Sequence, residues 1–141
     1  MILEVGVAAL VRRLAKTPLA KQFVRFICAG LAATAVHYAI LVALEIWQVS
    51  PVLATTSGFS AGAFVSYVLN RQYTFKAPGQ FGHGLAKYYG VMSVGLVLNA
   101  IIVAVLSGGG LPYLVAQIIA TGAVLIWNFL TARLVVFRDA G

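Results

Sequence analysis

Charged residues are scarce in this chain of 141 residues. Asp, Glu, Lys and Arg together make up 9% of it, against about 25% in soluble globular proteins. Hydrophobic residues make up 62%, compared with roughly 45–50% in soluble proteins. Too few polar side chains are present to cover a surface that faces water. The composition therefore excludes a soluble monomer and predicts a chain that has lipid as its solvent.

Cysteine and acidic residues are scarcer still. The single cysteine, Cys28, excludes an internal disulfide and a cysteine-based zinc site. Three acidic residues in the whole chain provide no paired carboxylates for acid–base chemistry. The sequence also has no Gly-rich Lys-Ser/Thr loop for ATP. We therefore predict that the protein is not an enzyme and that it uses neither a metal nor a cofactor.

Four apolar stretches are long enough to cross a bilayer, for which a helix needs about 20 residues. These stretches run over about 23–47, 52–69, 88–106 and 111–136. A polar loop, 70–86, joins the second stretch to the third, and short turns follow the first and the third. Pro51 and Pro112 fall in the first turn of a helix, where a missing N–H costs nothing. The sequence thus predicts an all-α integral membrane four-helix bundle.

All ten Lys and Arg residues fall on one side of this topology. They precede or open the first span, lie in the central loop, or end the fourth span: Arg12, Arg13, Lys16, Lys21, Arg25, Arg71, Lys76, Lys87, Arg133 and Arg138. By the positive-inside rule both termini and the central loop are predicted to be cytoplasmic. The net charge of +7 is therefore interpreted through membrane topology, and no nucleic-acid partner is expected.

Residues 1–20 are predicted to form an amphipathic helix in the cytoplasmic interface, ahead of a membrane domain over 21–141. The apolar residues of this segment recur at helical spacing and share one face: Leu3, Val7, Leu10 and Leu14. Arg12 and Lys16 fall on the opposite face, and Pro18 ends the helix before the first span. A short frayed leader is the alternative.

The ends of the second and fourth spans are similar to each other when the sequence is shifted by 62 residues. The shift pairs Tyr67 with Phe129, Arg71 with Arg133, Phe75 with Phe137 and Lys76 with Arg138. Such similarity predicts two two-helix repeats of the same orientation, related by an axis along the membrane normal. Transporters often bind their substrate between such halves. A duplicated scaffold without transport would give the same pattern.

Residues 70–75 read Asn-Arg-Gln-Tyr-Thr-Phe and follow the second of four spans. They resemble the Asn-Arg-x-aromatic-Thr-Phe signature of GtrA-like membrane proteins. Residues 133–137, Arg-Leu-Val-Val-Phe, resemble the closing Arg-x-x-Val-Phe of that family, and residues 23–26 are similar to its start. The resemblance covers about 21–138. The second copy has Ala132 where the first has Asn70, so fewer polar contacts to phosphate are expected there.

The resemblance implies the flipping of a polyprenyl-phosphate-linked monosaccharide, such as undecaprenyl-phosphate-glucose. The lipid would move from the cytoplasmic to the periplasmic leaflet of the bacterial inner membrane. There membrane glycosyltransferases of the same pathway would use the sugar to modify cell-envelope polysaccharides. Because four short helices enclose little volume for a sugar, a homodimer is predicted.

Two alternatives stay open. The first alternative is a non-transporting anchor or stabilising subunit of a polyprenyl-phosphate glycosyltransferase. A small multidrug exporter is disfavoured, because such exporters rely on a membrane-embedded Glu in the first span. Glu45 lies late in its span, and the charge bias is complete.

Flipping such a lipid requires a cation that holds the phosphate at the membrane interface. The planar fork of arginine suits phosphate oxygens, which it can bind with two parallel hydrogen bonds. Arg71 and Arg133, at the ends of the second and fourth spans, are therefore predicted to hold the phosphate. Arg25 and Lys87, at the starts of the first and third spans, would complete a basic ring. The alternative is that these cations only anchor the topology at the interface.

Polar side chains within or at the ends of the spans are predicted to line the path of the sugar. These are His37, Glu45, Asn70, Asn99, Gln117 and Asn128. An ionisable residue inside a membrane is by default a candidate for function. Amides in hydrocarbon need partners, so hydrogen bonds between helices are the alternative, which is favoured for Gln117. Gly58, Gly62 and Ser66, by contrast, recur every four residues and predict a packing seam.

Overall fold

A computed structural model describes the backbone of residues 2–138 and their side chains except those of residues 2–5 and 11. The side chain of Leu3 and the end residues 1 and 139–141 of the predicted domains lie outside the described residues. The described part of the chain is all helical, as predicted. Its α-helices are α1 (Ile2–Ala15), α2 (Pro18–Ile46), α3 (Pro51–Leu69), α4 (Phe81–Gly108) and α5 (Tyr113–Thr131). Two π-helical turns follow α3 and α5, the first π-turn (Asn70–Thr74) and the second π-turn (Ala132–Val136).

Four helices are long and apolar enough to cross a membrane. They are Pro18–Ile46, Pro51–Thr74, Phe81–Gly108 and Tyr113–Val136, each π-turn continuing its α-helix. Large apolar side chains along them are exposed, as in Leu31 (66%), Val105 (66%) and Ile118 (66%). Soluble proteins bury such side chains in a core, whereas here lipid can solvate them. The chain is therefore a multi-pass membrane protein.

The polar loop predicted over 70–86 is wrong at both ends. Helix α3 continues into the first π-turn, and α4 begins at Phe81, so the connection covers only residues 75–80. The amide of Asn70 is fully buried, and its Nδ2 donates to Ser66 Oγ at 3.3 Å. Polar residues indicate a loop only when they face water. Here the helix itself provides a hydrogen bond to the amide nitrogen of a buried side chain, and the polar sequence does not end it.

The chain folds as two compact units, Met1–Lys76 and Ala77–Gly141. In the first unit α2 packs along α3, and the first π-turn contacts both helices. Thr17 Oγ1 caps α2 by accepting from the backbone N–H of Ala20 at 3.2 Å, and Ser50 caps α3 in the same way. Pro18 and Pro51 open these helices. Pro112 lies at the N-cap of α5, one residue earlier than predicted.

Glycines bring α2 and α3 close together. A Cβ atom on Gly58 would lie 2.7 Å from the backbone oxygen of His37, and one on Gly62 would lie 2.8 Å from that of Ala33. Both distances are shorter than real Cβ contacts. The predicted seam of small residues is therefore a close contact between two helix backbones. Small residues are the usual means of such packing in membranes, where lipid is as apolar as the side chains.

The second unit repeats the succession of elements found in the first. Helix α5 and the second π-turn each begin 62 residues after α3 and the first π-turn. The ring centroids of Phe26 and Phe75 are 6.4 Å apart, and those of Tyr88 and Phe137, also shifted by 62, are 6.1 Å apart. In each unit, therefore, an aromatic side chain of the long helix packs on the phenylalanine that follows the π-turn. The axis that relates the two units in the membrane stays a prediction.

Candidate functional site

Both predicted phosphate-binding arginines lie in π-turns. The backbone N–H of Phe75 donates to the oxygen of Asn70 at 2.8 Å, and that of Phe137 donates to Ala132 at the same distance. These bonds span five residues, so each turn is wider than an α-helical turn. Single π-turns in helices occur frequently at functional sites. The widened turns thus single out the segments that contain Arg71 and Arg133.

The side chain of Arg71 is half-buried and held by its own helix. Its Nη1 donates to Tyr67 Oη at 3.1 Å, and Tyr67 is fully buried. A tyrosine one turn before an arginine lies on the same helix face, so its hydroxyl can orient the guanidinium. Arg71 is therefore oriented before any ligand arrives.

Arg25 is exposed on α2 and reaches the first π-turn. Its Nη1 donates to the backbone oxygen of Tyr73 at 3.4 Å. Beside it lies an open groove of about 270 Å³, which we call the α2/π groove. It is lined by Val24, Arg25, Cys28, Ala29, Leu69, Tyr73 and Thr74. The structure thus joins Arg25 to the segment that contains Arg71.

The two predicted cations of the second unit are exposed. Lys87 lies in α4 and Arg133 in the second π-turn, at the positions that Arg25 and Arg71 occupy in the first unit. Alanine and valine occupy positions 132 and 136, which correspond to Asn70 and Thr74. Fewer polar groups therefore surround the second π-turn. The ring of four cations stays a prediction.

The structure brings two predicted sugar-path residues together. Gln117 Nε2 donates to Asn99 Oδ1 at 3.1 Å and to Thr121 Oγ1 at 3.2 Å. The first of these bonds connects α5 to α4. It is the bond between helices that the sequence analysis gave as the alternative for these amides, and especially for Gln117. Asn99 and Gln117 therefore stabilise the pairing of α4 with α5.

Asn128 and His37 also lie where their helix meets its neighbour. A Cβ atom on Gly95 would overlap Asn128 Oδ1, which is buried and has no hydrogen-bond partner among the described residues. His37 is half-buried against Gly58 and Gly62. Both polar side chains thus lie against glycines of the paired helix. Because glycine has no side chain, each of them lies close to the backbone of that helix.

Glu45 and Asn70 differ in their surroundings. Glu45 is exposed in the last turn of α2, whereas Asn70 is fully buried at the start of the first π-turn. Glu45 follows Arg25 by 20 residues of the same helix, a distance of about 30 Å at a rise of 1.5 Å per residue. The two side chains therefore belong to opposite ends of α2.

Thr74 is a residue of the α2/π groove that the sequence did not indicate. It lines the α2/π groove with 4% of its surface exposed, and its Oγ1 has no hydrogen-bond partner among the described residues. Helical periodicity of 3.6 residues does not hold within a π-turn, so the sequence did not reveal which way this threonine faces. The pairing of Tyr67 with Arg71, by contrast, was available from their spacing of four residues.

Two comparisons relate the chain to known proteins. The family model described as GtrA/DPMS, transmembrane domain, matches residues 25–137. Two proteins named bactoprenol-linked glucose translocase, from the Shigella phages SfII and SfV, are each 28% identical to the chain over 121 residues. Each match covers 85% of this chain and 98% of the phage protein.

Proposed function

Because the chain belongs to the GtrA/DPMS transmembrane-domain family, we propose that it flips a polyprenyl-phosphate-linked monosaccharide, such as undecaprenyl-phosphate-glucose, to the periplasmic leaflet. The observation that carries the proposal is the similarity to phage proteins named bactoprenol-linked glucose translocase. The match covers 98% of their length, so it includes nearly the whole translocase and not a shared fragment. The four apolar helices support the proposal, since a flippase must cross the membrane.

The proposed location is the bacterial inner membrane, with both termini in the cytoplasm. The placement of all ten basic residues on one side of the topology supports this orientation. Helix α1 is proposed to lie in the cytoplasmic interface. Its apolar residues Val7, Leu10 and Leu14 are more than half exposed. Arg12 in this helix and Lys16, which directly follows it, are exposed as well. A lipid surface can cover the first set while its anionic headgroups pair with the second.

The phosphate presents the largest barrier to flipping, because an unpaired charge in hydrocarbon is very unfavourable. Arg71 and Arg25 of the first unit are proposed to pair with the phosphate at the cytoplasmic rim. Arg133 and Lys87 of the second unit would attract it over a longer range. No bond of the lipid is made or broken in this process, so we propose a non-catalytic transporter that works without a cofactor.

The sugar hydroxyls need polar partners along the way. We propose that they exchange with the bonds that Asn99 and Gln117 make between helices, and contact His37, Asn70 and Asn128. Hydrogen bonds between membrane helices average about 0.6 kcal/mol, weak enough for a passing hydroxyl to replace them. Glu45, exposed at the far end of α2, would accept hydrogen bonds from the sugar as it leaves.

One observation favours a second candidate, a non-transporting anchor or stabilising subunit of a polyprenyl-phosphate glycosyltransferase. The bond between Gln117 and Asn99 gives each amide a partner within the protein, as a scaffold requires. An anchor would need no path for the sugar. The two candidates predict opposite fates for the sugar lipid when the chain is absent.

Deletion of the gene for this chain from its host, with the glycosyltransferases kept, separates the two candidates. A flippase acts after the sugar lipid is made, so the lipid is expected at normal or raised amounts while the sugar disappears from the cell-envelope polysaccharide. The wild-type gene, returned on a plasmid, should restore the polysaccharide. Loss of the sugar lipid together with the transferase protein would contradict transport and support the anchor.

A further inference from the structure

The α2/π groove combines one cation with apolar walls. Val24, Ala29 and Leu69 contribute apolar side chains, and Arg25 contributes a guanidinium at the edge. The bond from Arg25 to the Tyr73 oxygen uses one of five N–H donors, and the side chain is exposed, so further donors can reach an anion. A phosphate joined to a hydrocarbon chain has the same division into a charged end and an apolar end.

A residue with a buried hydroxyl, Thr74, is among those that line this groove. Thr74 is 96% buried, and its Oγ1 has no hydrogen-bond partner among the described residues. A buried polar group without a partner destabilises a protein, and in native structures such a group usually has an explanation, such as a ligand or a water molecule. Hydrogen bonds to a charged acceptor are stronger than neutral ones, so a phosphate oxygen would stabilise this hydroxyl well.

The charge of Arg25 has no nearby carboxylate among the described side chains. The sequence contains three acidic residues, of which Glu45 alone has a described side chain. Glu45 lies about 30 Å further along α2, three Debye lengths at 0.1 M salt. An anionic ligand would therefore meet an arginine that no described acidic side chain neutralises.

The second unit lacks the hydroxyl of this arrangement, although Lys87 takes the position of Arg25. A shift of 62 residues replaces Thr74 by Val136, Tyr73 by Val135 and Asn70 by Ala132. The backbone is kept, since both π-turns close with bonds of 2.8 Å. The difference between the units at this point therefore lies in their side-chain chemistry.

We propose that the α2/π groove is the site that holds the junction between the phosphate and the first isoprene unit of the lipid. Thr74 and Arg25 contact the phosphate oxygens, and the apolar walls cover the isoprene. The described part of the second unit has valine in place of this threonine, so we expect each chain to bind one lipid. This inference rests on the proposed function for the identity of the lipid. It adds that recognition here depends on the phosphate and the prenyl chain and not on the sugar.

The single cysteine provides the test, because Cys28 is exposed and lines the groove. In purified full-length protein, undecaprenyl phosphate should slow the reaction of Cys28 with a maleimide at least tenfold, although this lipid has no sugar. Undecaprenol, which lacks the phosphate, should leave the rate within twofold of the unliganded protein. Phosphatidylglycerol, which lacks isoprene, should protect Cys28 to the same degree only at a higher concentration than undecaprenyl phosphate. Equal protection by either control lipid, or none by undecaprenyl phosphate, would overturn the proposal.

The variant Thr74→Val removes the hydroxyl and gives position 74 the residue that the second unit has at 136. It should weaken protection of Cys28 by undecaprenyl phosphate about tenfold, as expected for a lost hydrogen bond to a charged group. Its melting temperature in detergent should stay unchanged or rise, since the hydroxyl has no described partner. Thr56→Val, which removes a hydroxyl bonded to Val52 of its own helix, should leave protection unchanged. Unchanged protection in Thr74→Val would overturn the role of Thr74.

Arg25→Ala and Lys21→Ala form a matched pair, because both remove one exposed cation from the first turns of α2. Arg25→Ala should reduce protection about tenfold, and Lys21→Ala less than twofold. Equal losses would show general electrostatic attraction and overturn the site.

The protection of Cys28 and the flipping of the lipid are measured separately, so the groove and the proposed function can fail independently. Protection without flipping would refute the proposed function and keep the groove, and flipping without protection would do the reverse.

Discussion

Arg71 is the residue on which the proposed transport depends most. Its guanidinium is half-buried in the first π-turn and receives its orientation from the hydroxyl of Tyr67 at 3.1 Å. Fixed orientation matters because two parallel hydrogen bonds to a phosphate require the planar fork to face it. A flexible cation such as lysine provides charge without this geometry.

Arg71→Ala is expected to lower the rate of sugar-lipid flipping in proteoliposomes about 10-fold to 100-fold, the range for a lost hydrogen bond to a charged group. Arg71→Lys should keep the charge and lose the paired geometry, giving an intermediate rate. Both variants should insert into the membrane as the wild type does, which protease protection of the loops can verify. A normal rate for Arg71→Ala would exclude the residue from the site.

Gly58 allows the two helices of the first unit to meet. Alanine there would place its Cβ against a backbone oxygen of α2, which cannot move alone. Gly58→Ala is therefore expected to destabilise the protein by about 1–3 kcal/mol, the usual effect of overpacking. Reversible unfolding in mixed micelles measures this change. Gly122→Ala, at a mid-helix position with open space, should be neutral or stabilising, and a similar loss in both variants would contradict close packing at Gly58.

The residues show how far a sequence can locate a site. Arg25 and Arg71 were predicted from charge, position and the motif, because the chemistry of phosphate requires a cation, and their role stays a prediction. Thr74 was not predicted, since the direction of its side chain depends on the π-turn. A π-turn is closed by a bond to a carbonyl five residues earlier, and so short a segment shows no periodic pattern of apolar residues. The bond between Asn99 and Gln117 was foreseen only as an alternative. Amides within two spans show that polar groups are present there, but the sequence does not show which amides form a hydrogen bond.

At the scale of elements, the π-turn is the feature that both units share. The sequence predicted a loop at the first π-turn and placed the second inside the fourth span. The second unit forms it from Ala-Arg-Leu-Val-Val, with none of the polar side chains of the first except arginine. The backbone bond from Phe137 to Ala132 equals that from Phe75 to Asn70 at 2.8 Å. The two turns therefore share the arginine and the buried phenylalanine that follows the turn, and not the asparagine with which the first turn begins.

Asn70→Ala should consequently keep the first π-turn. The variant loses the bond to Ser66, for which about 1 kcal/mol is the usual contribution. Unfolding in mixed micelles should show a loss of that size, with the helical circular dichroism unchanged. An unfolded or aggregated variant would show that the asparagine itself is needed to form the turn.

Helix positions were largely predictable because the signals are simple. Long apolar runs gave the spans, and Pro51 gave the start of α3. Pro18 was expected only to end the preceding helix, and in the structure it opens α2. The helices are longer than the runs that predicted them. Helix α4 begins at Phe81, while the apolar run begins near Tyr88, because the first two turns of α4 contain glycine, histidine and lysine. A membrane helix that extends into the interface no longer needs apolar residues there.

At the scale of the whole molecule, one chain contains two units with similar elements. The side chains at their π-turns differ in chemistry. The sequence predicted the duplication from four residue pairs, and the structure extends the likeness to helices, π-turns and aromatic contacts within each unit. An exposed apolar surface of this extent leaves room for a second copy. Four short helices enclose little space for a sugar, so we propose that the working form is a homodimer.

Cross-linking in native membranes tests the homodimer. A maleimide reagent with two reactive groups attaches only at Cys28, so it reports contacts near the α2/π groove. A lysine-directed reagent reports contacts near the lysines. The lysine reagent is expected to give a dimer band that persists when the protein is diluted by added lipid. Recovery of monomer alone, with both reagents and in undiluted membranes, would contradict the proposal.

The most direct measurement of the central claim is the rate at which purified protein moves undecaprenyl-phosphate-glucose between the leaflets of sealed liposomes. Oxidation of the glucose by an impermeant reagent reports how much lipid faces outward at each time. The account predicts that the wild-type protein exposes the inner half of the lipid many times faster than protein-free liposomes, and that Arg71→Ala removes most of this acceleration. A wild-type rate equal to that of protein-free liposomes would contradict transport.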